Sequence, residues 1–174
     1  DWAGDCAGAG PFHDCTVAVT AARAATATFS SMTHNLVFVS STTFATNLGS
    51  VAAYDTQCNL LATAAGINNA AGTAYIAWIS SSVSSASARL NTGRGWVQVD
   101  GSPFTDTKSS LVVSNQVIGP IELDETGARH SSELVMTGTE WSGAAATQTC
   151  FDWTSTSSGV AVGETAGGSV AWTH

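Results

Sequence analysis

Basic residues are scarce in this chain of 174 residues: Arg23, Arg89, Arg94, Arg129 and Lys108 are the full set, against 13 acids, for a formal net charge of −8. A nucleic-acid or heparin binder needs clustered Lys and Arg to release counterions from phosphate or sulfate. Scattered bases exclude that partner class, and the acidic excess serves solubility. Charges of both signs reach only 10%, against about 25% in an ordinary soluble domain. Ser, Thr, Ala and Gly fill the space, a composition common in secreted and cell-surface proteins. No apolar run approaches the roughly 18 residues that span a bilayer, so membrane insertion is not expected. There is no CxxC and no Cys/His pair at zinc spacing, so the four cysteines point to an oxidising compartment and a disulfide framework. Initiator Met and signal peptide are also missing. The start at Asp1-Trp2 is read as the edge of a processed or excerpted part of a longer secreted protein.

Catalytic signatures are missing too. No Ser sits in a Gly-x-Ser-x-Gly elbow. Gly93-Arg94-Gly95 is too short for a dinucleotide fingerprint and has no following helix. His130 and Glu133 stand three apart, which is not the His-Glu-x-x-His zinc pattern, and they read as surface residues. His13, beside Asp14, reads as solvated. Catalytic residues and cofactors are therefore both expected to be none.

What is present suffices for one well-buried core and a small extra module. Residues 1–33 form the extra module. Thr16-Val17-Ala18-Val19-Thr20 and Ala25-Thr26-Ala27-Thr28-Phe29 alternate like strands. Glycines between Cys6 and Cys15 permit a turn that brings those sulfurs together. A disulfide there would stabilise by roughly 2–3 kcal/mol. A hydroxyl-rich hinge, Ser30-Ser31-Met32-Thr33-His34-Asn35, leads to the main domain.

In that domain Leu36-Val37-Phe38-Val39 reads as a buried strand. Val51, Tyr54, Cys58, Leu61 and Ala65 are spaced to share one face of a helix. Ser50 or Asn47 would cap its start and Gly66 its end. Cys58 then points into the core, while Thr56, Gln57, Asn59 and Thr63 take the other side. Tyr75-Ile76-Ala77-Trp78-Ile79 reads as a second apolar strand. Val83, Ala86 and Leu90 suggest a short second helix with Arg89 near its end. Trp96-Val97-Gln98-Val99 alternates as a half-buried strand turning at Asp100-Gly101-Ser102-Pro103. Leu111-Val112-Val113 and Ile121-Glu122-Leu123 read as short strands.

Two resemblances organise these pieces. Trp2-Ala3-Gly4-Asp5-Cys6, Cys15 and Ala27-Thr28-Phe29 resemble the closing half of a divergent internalin-type B-repeat from bacterial surface stalks. Residues 36–174 resemble a bacterial family of endostatin-like domains with a C-type-lectin-like fold. Val37-Phe38-Val39-Ser40-Ser41-Thr42, Asn47-Leu48-Gly49, Cys58, Ala64-Ala65-Gly66 and Gly72-Thr73-Ala74 carry the first part of that likeness. Ala77-Trp78-Ile79-Ser80, Ala88-Arg89-Leu90, Pro120 to Gly127, Thr137-Gly138-Thr139 and Thr149 to Ser155 carry the rest. The resemblance implies an α+β fold with one main helix, a short second helix and a twisted, mostly antiparallel sheet. It divides the chain into a disulfide-pinned β arm, 1–33, and an endostatin-like domain, 34–174, lacking its last strand. Such domains run past the region of Trp172 into two further cysteines, which by the family pattern would pair with Cys58 and Cys150. Truncation, a direct Cys58–Cys150 bond, and a last strand supplied by a neighbouring chain all remain open.

Candidate ligand residues are few. Pro120-Ile121-Glu122 and Asp152-Trp153-Thr154 do not match the sugar and calcium loops of calcium-dependent lectins, and only His34 stands near the zinc histidines of endostatin. Glu122, Asp124 and Glu125 form an acidic cluster able to hold Ca²⁺ or to sit as a solvated loop. Glu140, Trp141 and Asp152 could present an aromatic and polar face to a glycan, with Trp153 in the core. The expectation is a non-enzymatic extracellular or cell-surface module for adhesion or surface architecture. Its partners would be copies of itself, a surface protein or a glycan. A calcium-independent glycan-binding module is the alternative, and a secreted hydrolase a further one.

Overall fold

A computed structural model describes residues 2–7, 15–28, 34–68, 75–90, 92–169 and 171–173. His13, Phe29, the hinge at 30–33 and Gly72-Thr73-Ala74 lie outside the described residues. The fold is mixed α+β with short helices and small sheets, and it divides into two compact units, Asp1–Thr33 and His34–His174.

In the first unit β1 (Trp2–Gly4) pairs antiparallel with β2 (Ala25–Ala27). Gly4 has φ +73°, and a Cβ there would lie 2.2 Å from the Ala24 carbonyl oxygen, so only glycine fits this turn. Asp5 closes the pair: its carboxylate accepts from the Ala24 N–H at 2.9 Å and meets Arg23 at 3.1 Å. The Cys6–Cys15 disulfide is formed, with Cα atoms 5.7 Å apart. Thr16–Thr20, read above as a strand, has no ladder partner. Its one backbone hydrogen bond among the described residues runs from Thr20 N–H to the Ala18 carbonyl, 3.1 Å.

The second unit is built around α1 (Val51–Ala65). Ser50 Oγ accepts from the Ala53 N–H at 3.3 Å at its start. At its end Gly66, φ +72°, donates to Thr63 and Ile67 donates to Ala62, the paired bonds of a left-handed glycine stop. α2 (Ala86–Arg89) is one turn, and Val83, expected on its apolar face, is 91% exposed. β3 (Asn35–Leu36) runs parallel to β4 (Arg94–Val97), which pairs antiparallel with β5 (Pro103–Thr107). Residues 108–112 form α3 (Lys108–Val112), not the strand expected at 111–113, because Thr107 Oγ1 accepts from the Ser110 N–H and starts a helix. β6 (Leu134–Met136) and β7 (Val162–Glu164) form a separate antiparallel pair. Among the described residues of the second unit, a three-stranded and a two-stranded sheet therefore stand where a single twisted sheet was expected.

α4 (Cys150–Trp153) is a left-handed turn, with φ of 52°, 50°, 53° and 68° at Cys150, Phe151, Asp152 and Trp153. One apolar core gathers Trp96, Phe104, Leu111 and Trp172; another gathers Tyr54, Ile79 and Trp153.

Candidate functional site

A cavity of about 540 Å³ opens between these elements, lined by residues 34–38, Cys58 of α1, residues 75–78, and Trp96, Phe104 and Trp172. Its two long walls are extended segments with matching backbone chemistry. Val37 and Val39 donate their N–H groups to the carbonyls of Val97 and Leu123, at 2.9 and 3.0 Å. The period of two in extended chain turns the peptide groups of Leu36 and Phe38 to the opposite edge. There they meet no hydrogen-bond partner among the described residues.

The other wall, 75–79, was expected to be a strand, yet it joins no ladder. Side chains take the place of one. Asn59 accepts from the Tyr75 N–H at 2.9 Å and donates to the Tyr75 carbonyl at 2.7 Å. Asp55 accepts from the Ala77 N–H at 2.8 Å, and Arg89 donates to the carbonyls of Ala77 and Ile79 at 2.9 and 3.1 Å. Asn59 thus faces this segment, not solvent as its helical position suggested. The peptide groups of Ile76 and Trp78 again have no hydrogen-bond partner among the described residues. Among the described residues, both walls therefore carry alternate peptide groups without a partner, the condition of an open sheet edge.

The inner end of the cavity is aromatic. Trp172 packs on Trp78 at 4.9 Å and on Phe104 at 5.4 Å, and Phe38 meets Tyr75 edge-on at 5.3 Å. The indole nitrogens of Trp78 and Trp172 are buried and have no hydrogen-bond partner among the described residues.

Cys58 and Cys150 are both free thiols, so the direct bond between them is not formed. Burial, aided by the charge of Asp55, pushes the Cys58 thiol up to about 11, which keeps it protonated and poorly nucleophilic at neutral pH. Cys150 is buried away from solvent and donates to the Ser158 carbonyl at 3.4 Å.

The acidic cluster is neither a solvated loop nor an open cage. Glu122 pairs with Arg129, and Glu125 accepts from the N–H and hydroxyl of Ser41. Asp124, 3% exposed, accepts from the Thr126 N–H and hydroxyl, the Ala128 N–H and, at 3.0 Å, His130. Among the described residues no group of three or more His, Cys, Asp or Glu is arranged to hold a metal ion. His130, read as a surface residue, bridges Asp124 and Glu133 through its two ring nitrogens.

Burial raises the Asp124 carboxyl, but the hydrogen bonds from His130, Thr126 and Ala128 outweigh it and hold the pKa at about 2. Hydrogen bonds to Asp124 and then Glu133 raise the His130 imidazole. The two contributions have opposite pH limits. The stabilisation from Asp124 is present above the ordinary carboxylate pKa, about 3.9, and is lost as pH falls toward its folded value. The stabilisation from His130 is full below the ordinary imidazole pKa, about 6.5, and is lost as pH rises through its raised value. Melting temperature is therefore expected to be highest between about pH 4 and 6.5 and to fall on both sides. In His130→Gln the fall on the alkaline side should disappear; an unchanged alkaline limb in thermal melts refutes the assignment.

Among the residues considered for a glycan face, Glu140 and Trp141 are neighbours on one turn and Asp152 is bonded elsewhere. Trp141 is 45% exposed on the turn that Glu140 and Gly143 close. The Asp152 carboxylate is held instead by the N–H and hydroxyl of Ser82, at 2.7 and 2.5 Å, and by Thr149 at 3.2 Å. Those bonds, from the Ser82 hydroxyl first, hold the Asp152 carboxyl below its ordinary value. No hydrogen bond or ring contact joins it to Glu140 or Trp141.

The chain matches no protein-family model, and a search of curated proteins finds no match either. Among the described residues no helix is long and apolar enough to cross a membrane. Of the cavity residues, the sequence pointed to Cys58 alone. Trp78 was read as part of an apolar strand, and the apolar runs at 36–39 and 75–79 gave no sign that one row of peptide groups on each would lack a partner among the described residues.

Proposed function

We propose that this protein is a non-enzymatic extracellular or cell-surface module for adhesion or surface architecture, with an endostatin-like, C-type-lectin-like main domain. It engages its partner by taking up an extended apolar strand. The observation that supports this reading is the pair of peptide rows, at Leu36 and Phe38 and at Ile76 and Trp78, that line one apolar cavity and have no partner among the described residues. Strand addition supplies main-chain hydrogen bonds for affinity and alternate side-chain pockets for specificity. The walls favour a neutral strand, because the guanidinium in them, Arg89, is already matched to Asp55 at 2.5 Å. The disulfide of the first unit fits an oxidising environment.

The test is titration with a short alternating Val/Thr peptide, followed by intrinsic tryptophan fluorescence and by isothermal titration calorimetry. Saturable binding is expected. The same peptide with a central proline, which lacks an N–H and cannot pair within a sheet, should not bind. If neither peptide changes either signal, the strand-accepting reading is wrong.

A further inference from the structure

We infer that His130 is a pH-sensitive latch: its protonated ring fastens the turn at 122–130 to Glu133 at the foot of β6, and loss of one proton releases Glu133 while Asp124 stays bound. The latch rests on residues outside the cavity and does not depend on the strand-accepting reading.

The ring stands between two carboxylates. Nε2 lies 3.0 Å from an Asp124 oxygen, and Nδ1 lies 3.2 Å from both Glu133 oxygens. Only the imidazolium carries an N–H on both nitrogens; the neutral ring keeps one donor and presents a lone pair at the other. Both contacts are therefore hydrogen bonds only while the ring is charged. On deprotonation one carboxylate must face a lone pair, and burial decides which. The Asp124 side chain is 4% exposed and that of Glu133 is 60% exposed, so water can replace the ring at Glu133 and not at Asp124. The proton leaves Nδ1, and the neutral ring keeps its Nε2–H on Asp124.

The backbone holds the two ends of the latch differently. On the Asp124 side the His130 N–H donates to the Glu122 carbonyl at 2.7 Å, Leu123 bridges Arg129, and Asp124 accepts from Thr126 and Ala128. On the other side Ser132, between His130 and Glu133, stands at φ +61°, a left-handed conformation that is costly for a non-glycine residue. The Glu133 N–H donates to the Thr165 hydroxyl at 3.0 Å, and the Glu133 carbonyl accepts from the Thr165 N–H at 2.9 Å. Release of the Glu133 carboxylate removes the side-chain contact that spans the strained residue, so the loosening falls on 131–133 and spares the turn.

The other charged groups nearby are matched or belong to other contacts. Glu122 pairs with Arg129, which also acts on Asp100, and Glu125 is held by Ser41. Glu164 lies on β7 opposite Leu134. Hydrogen bonds to Asp124 and Glu133 raise the imidazole against the opposing effect of burial, so release falls above the ordinary value of about 6.5.

The full chain tests this by amide hydrogen exchange and by the nitrogen shifts of the His130 ring, followed from about pH 5 to about pH 9, a span that brackets an ordinary or raised imidazole. Exchange rates are corrected for base catalysis. As the ring titrates, opening at the Glu133 N–H is expected to rise about two- to fivefold, the range for an exposed charge pair, while the His130 N–H is unchanged. The ring shifts should show a neutral form with its proton on Nε2. Glu133→Gln, at an exposed position, offers both a donor and an acceptor and pairs with either form of the ring, so the rise should vanish while the ring still titrates. A neutral ring with its proton on Nδ1, a Glu133 N–H whose opening ignores the titration, or an equal rise in Glu133→Gln overturns the inference. A melt that weakens at alkaline pH with no local change at Glu133 overturns it too, because His130 would then act on global unfolding alone.

Discussion

Arg89→Met is expected to lower the stability of the main domain by about 3–5 kcal/mol, the range for breaking a largely buried ion pair from one side. The side chain is only 12% exposed, and its partner Asp55 is 25% exposed. Arg89 does three jobs at once: it pairs with both Asp55 oxygens at 2.5 Å and donates to the carbonyls of Ala77 and Ile79. Methionine fills similar volume, so the loss isolates the charge and hydrogen bonds, leaving a carboxylate and two carbonyls short of partners. Net stabilities of domains lie near 5–15 kcal/mol, so the variant should be close to unfolding. Lysine restores charge but not the planar fork, and Arg89→Lys should fall between the two. Urea midpoints with an unchanged slope check this. A midpoint within about 1 kcal/mol of the unmodified chain would show that the pair does not hold the 75–79 wall. The double variant Asp55→Asn, Arg89→Met should cost less than the sum of its parts, because the two residues share partners.

The same wall shows what a sequence can and cannot reveal. α1 was legible because every signal for it is local: Ser50 before it, Tyr54 and Cys58 at helical spacing, Gly66 after it. The segment 75–79 has the apolar character of a strand, but its partners are side chains on α1 and α2, 10 to 22 residues away. No periodicity encodes that. Leu111-Val112-Val113 misled for a related reason, since β-branched residues favour strands but a Thr107 cap started a helix. Asp124 and Glu125 looked like solvated or calcium-binding acids. They are instead buried acceptors, and Glu125 reaches Ser41 across 84 positions. Cys58 was legible as an inward-facing residue. That it lines an open cavity depends on which peptide groups elsewhere go unpaired.

Trp153→Ala is expected to be the most damaging single change, costing at least the about 3–5 kcal/mol of a large-to-small core substitution. The ring is 0% exposed, packs edge-on against Tyr54 at 4.9 Å, and donates from its indole nitrogen to the Ser80 carbonyl at 2.8 Å. It also anchors a strained backbone. The left-handed conformation costs roughly 1–2 kcal/mol per non-glycine residue, and four consecutive residues of α4 adopt it. The turn is held by Trp153 in the core, by Asp152 on Ser82, and by the Gly49 N–H donating to the Trp153 carbonyl at 2.8 Å. Without the ring, the strain has less to oppose it, and the turn should relax together with the loop at 46–49 that rests on it. Trp153→Phe keeps much of the volume but strands the Ser80 carbonyl, and should cost about 1–3 kcal/mol. Phe151 separates strain from anchoring, because it shares the left-handed backbone at φ 50° yet is 76% exposed. Phe151→Gly should therefore be neutral or stabilise by about 1 kcal/mol, since glycine adopts that conformation freely. Chemical denaturation of the three variants decides the matter. If Phe151→Gly destabilises as Trp153→Phe does, the turn is not left-handed and the predicted excess cost of Trp153→Ala has no source.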